Sequence, residues 1–133
     1  MAVVAPQTER DRIRRFYRDV LGWTITRQGD QKDDFRFGDS FYIAFVYESE
    51  GAALTESGFR KAMYLELKAD NVEEMRQAIV AFGVRVLEVP DPHLYFQAPG
   101  GQVWRLVGIN EDLSKYEGND DLVDSVAFVR RQP

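Results

Sequence analysis

The chain contains no cysteine and a single histidine, His93. The first absence excludes disulfide frameworks, thiol nucleophiles, thiolate zinc sites and iron–sulfur clusters. The second excludes a multi-histidine metal centre built by one chain. No apolar run approaches the roughly 18 residues of a membrane span, and the opening MAVVAPQTER has neither the basic stretch nor the long apolar block of a secretory signal. A cytoplasmic protein that does not engage membranes is therefore expected. Excess positive charge is also missing. Seventeen Lys and Arg face 22 Asp and Glu, a net charge of -5. Duplex DNA is a poor partner for such a surface, because phosphate neutralisation supplies most non-specific affinity, so no nucleic-acid partner is expected.

What remains is an ordinary globular composition rich in aromatic rings. Of 133 residues, 44% are hydrophobic and 29% charged, with nine Phe, six Tyr and two Trp. That length makes about one domain, large enough to fold without a metal or disulfide staple. In residues 8–21, Ile13, Phe16, Tyr17, Val20 and Leu21 make one apolar helical stripe,. Thr8 is the expected cap and Gly22 the expected stop. Arg10, Arg12, Arg14, Arg15 and Arg18 lie mostly off the stripe. They read as a solvated face rather than an anion patch, given the acidic total. Residues 72–82 repeat the scheme. Asn71 and Glu74 form a capping box, Met75, Ala78, Ile79 and Phe82 the stripe, and Gly83 the stop,.

Strand-like runs surround both helices. In the first half they are Ala2–Pro6, Trp23–Thr26, Phe35–Phe37 and Phe41–Tyr47. In the second they are Met63–Lys68, Val84–Val89, Leu94–Gln97 and Gln102–Val107,. The chain is thus expected to be an α+β protein of two βαβββ modules, residues 1–48 and 62–109, sharing one structural domain. Residues 49–61 read as a linker and 110–133 as a polar tail ending in a β-like run, Val123–Arg130, that covers a sheet edge or reaches another chain. Each helix has one apolar stripe and lies on one face of its sheet, which leaves the opposite face free to line a cleft.

The run Arg15-Phe16-Tyr17-Arg18-Asp19-Val20-Leu21-Gly22-Trp23 resembles the first module of the vicinal oxygen chelate superfamily. Leu65–Asp70, Gly83 and Ala98-Pro99-Gly100-Gly101-Gln102 match its second. That superfamily holds glyoxalases, extradiol dioxygenases, fosfomycin-modifying enzymes and bleomycin-binding resistance proteins. The resemblance spans residues 1–109 and implies a curled mixed sheet around a cleft with the helices outside. It also implies metal ligands at four places, which fall here at Ala2, Ile43, Tyr64 and Arg105. Alanine and isoleucine offer no donor atom, and a guanidinium is a cation without an acceptor. No metal and no cofactor are therefore expected, and with the metal goes the superfamily's shared activation of a bidentate oxygen substrate.

Strand alternation then assigns the cleft. Tyr64, Glu66 and Lys68 share one face of their strand, Phe41, Ile43, Phe45 and Tyr47 another, and Arg105 a third. These eight are the candidate ligand-binding residues, with no catalytic residue among them. Two readings of the face stand side by side. Either it binds a planar or aromatic compound, or its rings fill a collapsed cleft in which Glu66 and Arg105 pair with each other. His93, between Pro92 and Leu94 with Asp91 nearby, reads as a loop histidine without a function. The expected protein is a metal-free small-molecule binder that sequesters a compound such as an antibiotic. By resemblance to the binding branch, it is expected to act as a homodimer. A metalloenzyme with a divergent site and a structural or regulatory dimer module are the alternatives.

Overall fold

The computed structural model describes residues 1–49 and 55–113. Strand β1 (Ala2–Pro6) leads through a 3-10 turn, Gln7–Glu9, into helix α1 (Arg10–Arg14). The helix continues as a π-helical segment, Arg15–Val20, before β2 (Thr24–Gln28), β3 (Lys32–Phe37) and β4 (Phe41–Glu48). After α2 (Glu56–Ala62) come β5 (Tyr64–Ala69), α3 (Val72–Phe82), β6 (Arg85–Leu87), β7 (Leu94–Gln97) and β8 (Val103–Gly108). The strands form two four-stranded sheets, ordered β1-β4-β3-β2 and β5-β8-β7-β6. In each, the first strand runs parallel to the last and the remaining pairs are antiparallel. This is the expected α+β pair of βαβββ modules, and the two sheets do not close on each other.

Several local expectations are corrected. Thr8 does not cap the first helix. It lies inside the 3-10 turn that follows Pro6, and no side chain caps that turn. Asn71 stands at the start of α3, yet it helps with its backbone only: the Met75 N–H donates to the Asn71 carbonyl at 3.0 Å and no side-chain cap forms. Both stops are as expected, with Gly22 at φ +75 and Gly83 at φ +93, conformations a Cβ would strain,. Part of the expected linker is helical. Thr55 caps α2, its hydroxyl accepting from the Gly58 N–H at 3.0 Å, and Phe59 is buried. That ring packs so closely over Gly101 that a side chain there would collide with it. The run Val123–Arg130 lies outside the described residues.

One continuous core joins the modules. It takes Val3 and Ala5 from β1, Ile13, Phe16, Tyr17 and Leu21 from the first helix, Phe35 from β3 and Ile43, Phe45 and Tyr47 from β4. The second module adds Leu67, Ile79, Phe96, Trp104 and Leu106. Phe16 meets Phe82 and Phe96 at ring separations of 5.3 and 5.9 Å. Tyr17 is fully buried, and its hydroxyl accepts from the Trp104 indole N–H at 3.0 Å across the seam.

A buried polar network fixes α1 to its sheet. Asp33 has no exposed surface. It accepts from Arg14 Nε at 2.6 Å and Nη2 at 3.0 Å, from the Tyr47 hydroxyl at 2.7 Å and from the Gly29 N–H at 3.1 Å. Burial pushes this carboxyl up, but the hydrogen bonds from Arg14, Tyr47 and Gly29 outweigh it and hold the carboxyl below its ordinary range,.

Two outcomes follow from these contacts. Tyr17→Phe leaves the Trp104 donor buried without a partner and should lower unfolding stability by about 1–3 kcal/mol in a urea titration. Because Asp33 is depressed in the folded state, the unfolded chain binds the extra proton, so its contribution is present above about pH 4 and fades as pH falls through the folded value. Urea midpoints followed from about pH 7 down to 2.5 should fall steeply below pH 4 in the parent, whereas Asp33→Asn should start lower and show a shallower acid limb.

Candidate functional site

The face of the second sheet turned away from the shared core is built in cross-strand rows, buried at Tyr95, Val103 and Arg105 and exposed at Glu66 on the edge strand. Tyr64 lies opposite Val103, which lies opposite Gln97. Glu66 lies opposite Arg105, which lies opposite Tyr95. The expected parity therefore describes this module. Trp104 and Leu106 enter the shared core, while Tyr64, Val103 and Tyr95 form a small separate cluster with Leu87 and Val89.

Arg105 is the centre of that face. Its Nη2 contacts Glu66 Oε1 closely, and its Nη1 donates to Asp91 Oδ2 at 3.3 Å. Asp91 also accepts from the His93 N–H at 2.8 Å and the Tyr95 hydroxyl at 3.0 Å. His93 Nδ1 stands 2.5 Å from Asp91 Oδ1, and its Nε2 stands 2.5 Å from Glu111 Oε1. Glu111 Oε2 in turn accepts from the Gly108 N–H at 3.1 Å. Burial pushes the Asp91 carboxyl up, but bonds from the His93 amide, the His93 ring and Tyr95 bring it below its usual value. Burial would lower the Arg105 guanidinium, but its bond to Glu66 leaves it raised. Burial raises the Tyr95 phenol, and Asp91 raises it further. His93 is therefore not an idle loop residue: it ties the β6–β7 loop to the segment after β8. No periodic signal in the sequence marks this, since Asp91 and His93 lie in the bend before β7 and meet through local contacts.

The first module corrects the sequence expectation. Ile43, Phe45 and Tyr47 do not face a cleft. They point to α1 and are almost wholly buried in the shared core. The alternation was sound but its phase was inverted, since the buried residues of β4 are those beside α1. The outer face of β4 instead carries Tyr42, Ala44 and Val46, and Ala44 pairs with Ala2. Moving the expected ligand place from Ile43 to Ala44 still supplies no donor atom.

The donor chemistry of these places does not fit a divalent ion. Ala2 and Ala44 have nothing to give, and Arg105 puts a cation at the middle of the other face. Both His93 nitrogens are engaged with carboxylates, so neither presents a free lone pair,. Among the described residues, no group of three or more His, Asp or Glu is arranged to hold a metal.

A cavity of about 280 Å³ lies where the modules meet. Trp23, Phe37, Phe41, Trp104 and the β5 run Leu65–Lys68 line it. Trp23 stacks on Phe37 with ring centroids 5.2 Å apart, and meets Phe41 and Trp104 edge-on at 6.0 and 5.7 Å. Of the eight residues expected from sequence, Phe41, Glu66 and Lys68 border this cavity, Tyr64 and Arg105 belong to the largely buried second face of the second sheet, and Ile43, Phe45 and Tyr47 belong to the core. Trp23, Phe37, Leu65, Leu67 and Trp104 were missed as lining residues, because the cavity forms at a seam between modules that strand alternation within one module does not reveal.

Removing the guanidinium at position 105 tests how strongly the cluster is coupled. Arg105→Met leaves Glu66 and the buried Asp91 without their cation and should destabilise the fold by about 3 kcal/mol, read by chemical denaturation.

Residues 2–107 match the family model described as the glyoxalase-like domain. Among solved structures, a possible glyoxalase from Bacillus cereus is 18% identical with a TM-score of 0.59, over 80% of this chain and 94% of that one. The fosfomycin resistance protein FosX from Mesorhizobium loti is 14% identical with a TM-score of 0.63, over 87% and 92%. A lactoylglutathione lyase from Agrobacterium tumefaciens is 17% identical with a TM-score of 0.57, over 89% and 93%. These likenesses are of fold. No curated protein matches. Among the described residues, no helix is long and apolar enough to cross a membrane.

Proposed function

The chain belongs to the glyoxalase-like domain family, and on that premise we propose that it is a metal-free binding protein for a planar or aromatic small molecule, which it sequesters without chemistry. The observation that carries this reading is Arg105. A cation bound to two carboxylates occupies a place where the resemblance implies a chelating group, while rings wall a cavity nearby. Flat side chains bind flat ligands with little loss of conformational freedom. An antibiotic is among the candidate ligands, and likeness in fold to a fosfomycin resistance protein supports keeping it there.

The reading includes a homodimer working in the cytoplasm. Support for the dimer comes from the outer face of the first sheet, where Val4 is 40% and Tyr42 49% exposed. Apolar surface of that kind favours association.

The experiment has three readouts on one preparation. Elemental analysis of untagged protein should find no stoichiometric divalent metal. A panel of planar drugs should include compounds that raise the melting temperature and quench Trp23 and Trp104 fluorescence, and these compounds should be recovered unchanged. Light scattering should give twice the chain mass. About one divalent ion per chain would restore the metalloenzyme. A panel with no shift and no quenching would reject ligand binding, and a monomeric mass would reject the dimer alone.

A further inference from the structure

The polar groups around the cavity favour one charge on the ligand. Glu66 borders it, but its carboxylate is committed to Arg105. Lys68 lies two residues along the same strand, is exposed, and has no carboxylate partner among the described residues. The indole N–H of Trp23 is buried and has no hydrogen-bond partner, although the residue is only 3% exposed. A buried donor left unpaired is costly in a folded protein. Of the charged groups at the cavity, Glu66 is therefore neutralised by Arg105 while the Lys68 cation is not paired among the described residues, and the Trp23 N–H adds a second unpaired donor.

The remaining wall is hydrocarbon and ring. Its volume of about 280 Å³ falls just below the range that encloses a drug-sized ligand, which points to one or two fused rings with a short handle. Asp70 does not reverse the sign of the site. It lines an adjoining cavity of about 400 Å³ that shares Phe37, Leu67 and Lys68 with this one, and among the described residues no ion pair joins Asp70 to Lys68.

Resting on the reading of the chain as an aromatic-ligand binder, we propose that the seam cavity takes an aromatic carboxylate. The ring system lies against Trp104, Phe41 and Phe37, and the carboxylate meets the Lys68 ammonium at the β5 rim. Lys68 is the residue that sets charge preference, and the rings supply affinity without regard to charge.

Three probes of one shape test this: 2-naphthoate, 2-naphthamide and 2-naphthylmethylammonium, titrated by calorimetry into the parent and into Lys68→Met. The parent should bind the acid more tightly than the amide, and the amide more tightly than the ammonium. In Lys68→Met the acid should lose about fivefold in affinity, the size of a partly exposed ion pair. The amide should be unchanged, and the gap between acid and amide should close. Raising salt should mimic the variant for the acid alone. Equal binding of all three probes, or a Lys68→Met loss shared by acid and amide, would overturn the charge assignment and leave aromatic binding standing. If none of the three binds while other planar drugs raise the melting temperature, the carboxylate proposal is wrong and the broader reading survives. If nothing planar binds, the broader reading fails with it.

Discussion

The fold depends on the burial of Tyr17 at the seam. Its ring touches Phe16, Trp23, Phe35, Phe45 and Trp104 at centroid separations between 5.0 and 6.4 Å. Its hydroxyl accepts from the Trp104 indole, a side-chain hydrogen bond from the first helix to the second sheet. Each βαβββ module has a single four-stranded sheet and a single helix of modest length, so neither buries enough apolar surface alone. Joining them through one aromatic cluster turns two marginal halves into one core. It also explains why the π-helical stretch Arg15–Val20 is tolerated. The wider turn brings the Leu21 N–H to the Phe16 carbonyl at 3.1 Å and the Trp23 N–H to the Tyr17 carbonyl at 2.9 Å. Phe16, Tyr17 and Trp23 are all buried around that turn, so packing outweighs the poorer helix geometry.

The same seam decides where a ligand can go. Trp23 and Trp104 belong to different modules, meet edge-on, and are both core residues and cavity walls. A ligand there would lie against the rings that hold the modules together. The other face of the second sheet, buried at Tyr95, Val103 and Arg105, offers a different environment. Its charges are paired in a chain from Glu66 through Arg105 and Asp91 to His93 and Glu111, with only Arg105 Nε left without a hydrogen bond among these contacts. An internally paired network of this kind stabilises one arrangement of loops and leaves little electrostatic attraction for an outside ion.

Much of the fold was legible before any coordinates. β1 and β7 carry the bounds expected from sequence, α3 spans the expected residues, and both helix-stopping glycines adopt positive φ. These features rest on local signals: alternation, a 3.6-residue stripe, and backbone freedom at one residue. Helix α2 was missed because Gly58 reads as a breaker and its few turns are held by Thr55 and by Phe59 packing over Gly101, a contact between distant segments. The candidate site was legible by halves. In the second module, Glu66 and Arg105 were expected on one face and are paired there. In the first, the period of β4 was correct but its phase was not, since a strand of Phe, Tyr, Ile, Ala, Phe, Val and Tyr is apolar on both faces and its sequence does not say which face meets the helix.

That two-sided apolarity itself narrows what the first module does. A strand whose outer face met only water would be expected to alternate with polar residues. Here the outer residues are Tyr42, Ala44 and Val46, beside Ala2 and Val4 on β1, with Arg36, Asp34 and Lys32 opposite them on β3 and Lys32 paired to Asp34. The face is therefore apolar along β1 and β4 and charged along β3. Small side chains at Ala2 and Ala44 leave a shallow floor rather than a filled core. The first sheet thus joins an apolar β1–β4 strip to a charged β3 row, whereas the seam between the modules is walled by rings with Lys68 at its rim.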